Sequence, residues 1–253
     1  MLKTGHDLSD EEIVKRYEKL DHRGGLGKEF NYRVVKLAGD ISKKKILDAG
    51  CGHGELLKYI KYIKEGWDCQ LFGVDMVKER LDQADSIEGI EIRYSNIQEN
   101  IPFDNNFFDM AFSTEVIEHL KDPQAFLKEL RRVTKNDGKI VLTIPNGSAF
   151  FPFYYIAPYV PIRRFKEIFL PYEHPLITDQ PIDTCYYYNE ILQIIKKSGL
   201  SIIKIIGWRY FRYCFAFPVI RIIYPKIYPA IEKIMPFIKG ERFAYNLMFS
   251  CKN

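Results

Sequence analysis

Apolar positions along the first 145 residues fall into two alternating textures. One is the short apolar run: Lys45-Ile46-Leu47-Asp48-Ala49-Gly50, Gln70–Asp75, Glu91–Ser95, Phe108–Thr114 and Gly138–Ile144. Runs of this length, rich in β-branched and aromatic residues, predict buried strands. The other texture repeats every three or four residues, which puts apolar side chains on one helical face. Ile13, Tyr17 and Leu20 follow the capping-box pattern Ser9-Asp10-Glu11-Glu12 and predict a helix near 9–21. Phe30, Val34, Leu37 and Ala38 predict a second at about 28–40, and Leu56, Leu57, Ile60 and Ile63 a third. A fourth covers 77–85, and Asp122-Pro123 opens a fifth at about 122–135, with Phe126, Leu127, Leu130 and Val133 on its inner face. Strands alternating with helices predict an α/β fold, a parallel sheet covered on both faces.

After Pro145-Asn146-Gly147 the pattern changes. Residues 149–162 are charge-free, aromatic and broken by prolines. A helix at about 187–198, stopped by Gly199, leads to strand Ile202–Ile206, and Phe243–Cys251 reads as a terminal strand. The two late strands predict a hairpin at the sheet edge with a long insertion in its turn. In that insertion Pro218, Pro225, Pro229 and Pro236 predict short helical pieces. The expected organisation is one domain. Residues 1–43 form N-terminal helices, 44–147 a nucleotide-binding core, 148–183 and 208–241 an aromatic, basic cap, and 184–207 with 242–253 complete the core.

Charge follows the same division. Residues 1–145 carry 23 Lys/Arg and 26 Asp/Glu, whereas 146–253 carry 14 and 7, together with 24 of the 37 aromatic residues. Basic and aromatic surface is what substrate sites and interfaces accumulate, so the second part is expected to carry specificity. The five cysteines are odd in number and form no C-x-x-C, which fits a reducing compartment. The first residues have no secretory-signal pattern and no run of 18 apolar residues occurs, so the expected location is cytoplasmic.

Candidate chemistry begins at Asp48-Ala49-Gly50-Cys51-Gly52-His53-Gly54, a glycine-rich junction between a strand and a helix. Glycines admit left-handed backbone and close approach of a ligand, and the next helix offers free N–H groups. Asp75, at the end of the next strand, is placed to accept both ribose hydroxyls of an adenosine. The spacing is G-x-G-x-G, unlike the G-x-G-x-x-G of dinucleotide sites. These residues resemble motif I of the class I S-adenosylmethionine (AdoMet) methyltransferases. The resemblance runs on through Gly73-Val74-Asp75, Asn96 to Ile101-Pro102-Phe103, Phe107 to Ser113, Glu115 to Pro123 and Leu130 to Lys139. It implies a Rossmann-like, mostly parallel seven-stranded sheet whose last strand is antiparallel. It also implies AdoMet as cofactor, bound by Asp48, Gly50, Cys51, Gly52, Gly54, Asp75, Met76, Asn96, Ile97 and Ser113. Asp48 then lies near the ammonium, Asp75 holds the ribose and Met76 lies on the adenine. Asn96 stands where many relatives have Asp.

For the acceptor, the corner after the fourth strand reads Ser113-Thr114-Glu115-Val116. That disfavours amine methylation of nucleic-acid bases, and no Pro-Cys corner exists for cytosine C5. Glu115, Glu118 and His119 remain; on a helix, their spacing puts all three on one face. Two carboxylates and an imidazole suit a divalent ion such as Mg²⁺ or Mn²⁺, with His174 as a further ligand. Alternatively, His119 is a metal-free general base, or the cluster only shapes the wall. The pattern resembles both the polyprenyl-catechol O-methyltransferases of ubiquinone biosynthesis and the small-RNA 2′-O-methyltransferases. The expected reaction is O-methylation of a small hydrophobic or lipid-linked acceptor. RNA 2′-O-methylation and a non-catalytic AdoMet-binding partner protein are the alternatives. Residues 208–239 read either as a lid or as a membrane-surface contact. Their basic residues are spread out, which disfavours nucleic acid as a partner.

Overall fold

The computed structural model describes residues 9–18, 27–63, 68–149, 182–184, 186–210, 218–235 and 240–253. In chain order the elements are α1 (Asp10–Glu18), α2 (Lys28–Ala38), β1 (Lys45–Ala49), α3 (Glu55–Tyr62), β2 (Gln70–Asp75), α4 (Lys78–Asp85), β3 (Ile90–Tyr94) and β4 (Phe108–Thr114). There follow α5 (Pro123–Val133), β5 (Thr134–Pro145), α6 (Tyr188–Lys197), β6 (Ser201–Tyr210), α7 (Pro218–Ile234) and β7 (Ala244–Lys252). Among the described residues, 3₁₀ turns follow β4 (Ile117–His119) and β5 (Gly147–Ala149) and precede β7 (Gly240–Phe243).

The strands form one seven-stranded sheet in the order β3-β2-β1-β4-β5-β7-β6. Pairings among β1 to β5 are parallel, and β7 runs antiparallel to both β5 and β6. The mostly parallel sheet and its antiparallel last strand match the sequence expectation. The hairpin does lie at an edge, with β6 outermost and the terminal strand inside it. Between β1 and β4 the direction of strand addition reverses. In open α/β sheets a ligand crevice opens at the carboxyl ends of the strands at such a point.

Period-two alternation sends side chains to two cores. On one face Ile46, Met110, Phe112, Val141 and Met248 pack with Phe30 and Val34 of α2, Leu57 and Ile60 of α3 and Leu81 of α4. On the other, Leu47, Val74, Ala111, Ile140, Leu142 and Phe249 meet Phe126, Leu127 and Leu130 of α5 and Ile191 and Ile195 of α6. These α5 side chains are fully buried, each stabilising the fold by about 2 kcal/mol.

Local chemistry sets most ends. Ser9 and Glu12 exchange the reciprocal hydrogen bonds of a capping box at α1, at 2.9 and 3.2 Å. Asp122 accepts from the N–H groups of Gln124 and Ala125 and so caps α5, with Pro123 at its first position. α2 stops at Ala38, short of the expected 40, because Gly39 turns left-handed (φ 83°). α5 stops at Val133, short of the expected 135. There Thr134 Oγ1 donates to the Leu130 carbonyl (2.7 Å), while Asn106 and Phe107 take the carbonyls of Arg132 and Val133 into loop pairing.

Two expectations fail in the second half. β6 runs on to Tyr210, because Trp208 and Tyr210 pair with Asn246 and Ala244 of β7. α7 is one 17-residue helix rather than short pieces. Pro218 is its first residue, where a missing N–H costs nothing. Pro225 and Pro229 are four apart, so their lost bonds fall on one face in successive turns and the rest of the ladder continues.

Candidate cofactor and acceptor site

The glycine loop turns the chain from β1 into α3. Gly50, Gly52 and Gly54 all have positive φ, at 82°, 51° and 76°. A Cβ at Gly50 would stand 2.5 Å from Val116 Cγ2, so neither the conformation nor the space admits a side chain there. Gly50 N and Cys51 N both donate to the Val74 carbonyl, at 2.8 and 3.1 Å, which fastens the loop to β2. Cys51 is buried, and burial pushes its thiol well above its usual range. Gly54 is the left-handed cap of α3 and supplies no capping side chain to its first turn.

Asp75 ties this loop to the next one. Its Oδ2 accepts from Gly52 N and its Oδ1 from Val77 N, each at 2.9 Å. Each carboxylate oxygen retains a second lone pair, enough to receive a pair of vicinal hydroxyls. Asp48 lies deeper and is only 2% exposed, and its Oδ1 has no hydrogen-bond partner. Burial first, and the charge of Asp75 second, push its carboxyl up to about 7. His53 Nδ1 and Ser113 Oγ are likewise buried without partners. Unsatisfied buried polar atoms are uncommon in folded chains, and here they gather at the carboxyl edge of the sheet. This donor set fits AdoMet: an unpartnered carboxylate for an ammonium, a second one for a ribose, and a backbone cradle without side chains.

An apolar cover completes this half. Ile13 of α1, Val77 and Ile182 form a small buried cluster with Met76 against it. α1 is held there by Asp10, which pairs with Lys121 Nζ (2.6 Å) and accepts from Asn96 Nδ2 (3.0 Å). Asn96 Nδ2 also donates to Glu99 (2.9 Å), and the side chain of Ile97 is buried in the main core.

The segment after β4 departs from the expected helical face. Glu115 is left-handed (φ 54°), and a short 3₁₀ turn follows at Ile117–His119. The left-handed residue breaks any helix, so Glu115 parts from Glu118 and His119. Glu115 Oε1 accepts from Thr143 Oγ1 (2.8 Å) and its Oε2 from Asn246 Nδ2 (3.1 Å). Glu118 is buried, and burial followed by the charges of Glu115 and Asp183 raises its carboxyl well above the usual range. Its Oε1 stands 3.7 Å from His119 Nε2, beyond hydrogen-bond distance. Burial lowers the imidazole of His119, against the opposing effects of Ile182 and Asp183. His119 Nδ1 lies 2.8 Å from the Ile182 carbonyl. A carbonyl only accepts, so the proton is on Nδ1 and Nε2 is the basic nitrogen.

Residues 47–142 match the family described as "Methyltransferase domain". The chain is 36% identical over 109 residues to an uncharacterized methyltransferase of Schizosaccharomyces pombe, covering 38% of each chain. It is 29% identical over 158 residues to a ubiquinone biosynthesis O-methyltransferase of Escherichia coli, covering 56% of this chain and 64% of that one. The match thus spans less than two thirds of either relative. Among solved structures, an S-adenosylmethionine-dependent methyltransferase from Mesorhizobium loti superposes with a TM-score of 0.60 at 14% identity, covering 90% of this chain and 99% of that one. Residues 47–142 therefore carry a methyltransferase domain, set in the fold of the class I S-adenosylmethionine methyltransferases.

Within this methyltransferase fold, Asp48, Gly50, Cys51, Gly52, Gly54, Asp75, Met76 and Ser113 come together at the switch point between β1 and β4. Asn96 lies at the rim with its amide engaged, and Ile97 turns inward. Glu118 and His119 sit beside each other, whereas Glu115 turns toward β5 and β7. Among the described residues no three of His, Cys, Asp and Glu stand close enough to hold a metal ion. His174 lies outside the described residues, as do most of 148–183. Sequence reasoning missed Ile182, Thr143 and Asn246. Ile182 and Asn246 lie 63 and 131 residues from the side chains they bond, so no local pattern marks them.

Proposed function

We propose that the protein transfers a methyl group from AdoMet to a hydroxyl oxygen of a small, hydrophobic or lipid-linked acceptor. The carrying observation is the buried, unpartnered Asp48 carboxyl beside the loop that Asp75 fastens. The donor supplies an activated methyl on a sulfonium. What is left to the chain is to align the acceptor and remove its proton. Asp48 would hold the ammonium, Asp75 the ribose, and Met76 with Val77 the base. His119 Nε2, kept as the unprotonated nitrogen by the Nδ1 contact to Ile182, would take the hydroxyl proton. Oxygen as the target is supported by the name of the Escherichia coli relative, and a neutral imidazole is compatible with it. Incubation with labelled AdoMet and catechols of increasing alkyl length is expected to give methyl ethers. His119→Ala should lower kcat by 10²–10⁴-fold with unchanged affinity for S-adenosylhomocysteine (AdoHcy). No ether product across the series, or an equally active His119→Ala, removes this reading.

The lipid-linked acceptor is supported by α7. Its inner side is fixed by Tyr228 Oη donating to Glu232 (2.6 Å) and by the Arg33–Glu232 pair (3.0 Å). Its outer side exposes Lys226, Lys233 and the apolar Ile227 (45%) and Ile234 (56%). Basic residues beside exposed isoleucines suit an anionic membrane surface. Among the described residues no helix is long and apolar enough to cross a membrane. Co-sedimentation with phosphatidylglycerol vesicles is expected, weakened by salt and at least fivefold lower in the double variant Lys226→Glu, Lys233→Glu. Equal partitioning of both proteins removes the membrane contact.

A further inference from the structure

Ile182 faces two parts of the site at once. Its side chain is 3% exposed and packs with Ile13 of α1, Val77 and Met76. Its carbonyl lies 2.8 Å from His119 Nδ1. Two residues on, Thr184 N donates to the Glu118 carbonyl (2.8 Å), so residues 182–184 are tied to the Ile117–His119 turn at two points. α1 is tied to the same stretch through Asp10 and Lys121 Nζ (2.6 Å). Segments far apart in the chain therefore meet where the donor half of the site borders the acceptor half: α1, the turn after β2, the turn after β4 and residues 182–184. The His119 side chain keeps 21% exposure there, so the ring is reachable from outside.

Among the described residues, the cluster that holds Ile182 is separate from both main cores. A satellite cluster of so few side chains offers few alternative contacts, so each member fixes the backbone that carries it. The branched Cβ of isoleucine adds to this, because it leaves few rotamers. The hydrogen bond to His119 comes from the main chain, which every residue type supplies. What residue 182 adds by its identity is the anchor that puts that carbonyl within reach of Nδ1. Glu118 does not replace it, since its Oε1 is 3.7 Å from Nε2, beyond hydrogen-bond distance. An imidazole without a fixed acceptor exchanges its proton between the two nitrogens, and a proton on Nε2 blocks that atom as a base. The same segment brings the negative charge of Asp183 to bear on the ring, which favours the imidazolium formed on proton uptake.

We infer that Ile182 is a positioning residue: its side chain, held in the donor half, sets the carbonyl that keeps the His119 proton on Nδ1 and so leaves Nε2 as the accepting nitrogen. The inference rests on the reading of His119 as the base and deepens it. It makes the donor cover part of the acceptor chemistry, since α1, Met76 and Val77 reach the base through Ile182. Position 182 is accordingly expected to tolerate valine, which keeps the branch. It is expected to lose function with alanine, which keeps the main chain but not the anchor.

The test uses the full chain at neutral pH and reads the ¹⁵N chemical shifts of the imidazole nitrogens. The His119 signals are picked out from those of the five histidines by their loss in His119→Gln. Wild type is expected to show a protonated Nδ1 and an unprotonated Nε2, and Ile182→Val the same. Ile182→Ala should mix the two forms. Its kcat on the alkyl catechols should fall at least tenfold, with KM within twofold of wild type and a smaller loss of AdoHcy affinity than of kcat. Ile13→Ala thins the anchor without touching residues 182–184. It should move the ring the same way by less, and it decides the matter should Ile182→Ala fail to fold. A wild-type tautomer in the alanine variants, or a wild-type ring protonated on Nε2, overturns the inference. The two readings fail separately: a fully active His119→Ala removes the base itself, whereas an inactive His119→Ala beside a fully active Ile182→Ala removes only the role of Ile182.

Discussion

Asp75→Ala is expected to lower affinity for AdoHcy at least 100-fold, about 3 kcal/mol. The size follows from what one side chain does. Its two oxygens accept from Gly52 N and Val77 N, both at 2.9 Å, so it fastens the glycine loop to the turn that carries Met76. Charge-assisted hydrogen bonds of this kind contribute about 1.5–3 kcal/mol each. Removing the carboxylate leaves two backbone donors without their acceptor, loosens the cradle and deletes the group that would receive the ribose. Asp75→Asn is expected to be intermediate, since its amide oxygen still serves one N–H. Calorimetric titration with AdoHcy measures all three proteins. Retention of wild-type affinity by Asp75→Ala would falsify the placement of the ribose and, with it, the whole donor site.

Asp48→Asn should stabilise the ligand-free protein at neutral pH and at the same time weaken AdoHcy binding by one to two orders of magnitude. Burial raises the Asp48 carboxyl to about 7 in the folded chain, from 3.8. The folded protein therefore holds a proton that the unfolded chain has lost. The stability associated with this group is complete below about 3.8 and is lost progressively as pH rises to about 7. Wild type should therefore melt at a lower temperature at pH 8 than at pH 5 through this group, and the Asn variant should lack that component. A gain of about 1–2 kcal/mol at pH 8 corresponds to roughly 3–6 °C. The ligand reverses the sign. An ammonium favours the ionised carboxylate, so wild-type affinity for AdoHcy should climb from pH 5 to 7.5 and level off, while the variant stays flat. Thermal melts and calorimetry across that range test both halves; a variant that melts lower at pH 8, or binds as tightly as wild type, sinks the assignment of Asp48.

The two residues behind these predictions were legible in the sequence for a local reason. Asp48 and Asp75 each end a short apolar run and precede a turn, so strand length alone puts them at the carboxyl edge. The glycine loop is legible for the same reason, since positive φ at Gly50, Gly52 and Gly54 is a backbone demand that few other residues meet. Glu115 was misread because its spacing to Glu118 and His119 is helical while its backbone is left-handed. What holds it so is Thr143 on β5 and Asn246 on β7, neither of them near it in the chain. α7 was misread for the converse reason. Proline removes a hydrogen bond wherever it stands, but whether a helix survives two of them depends on what it packs against, and Glu232 is held by Arg33 from α2.

By itself, the sequence determined the alternation of strands and helices, the two-sided sheet, the caps of α1 and α5, and the cradle for a nucleoside. All of these follow from side chains within a few residues of one another. Only the tertiary structure decided the place of β7 between β5 and β6, the tautomer of His119, and the raised carboxyls of Asp48 and Glu118. Each of these depends on burial or on a partner distant in the chain. Burial and distant pairing are properties of the packed sheet, and they come into being only when the strands have found their order.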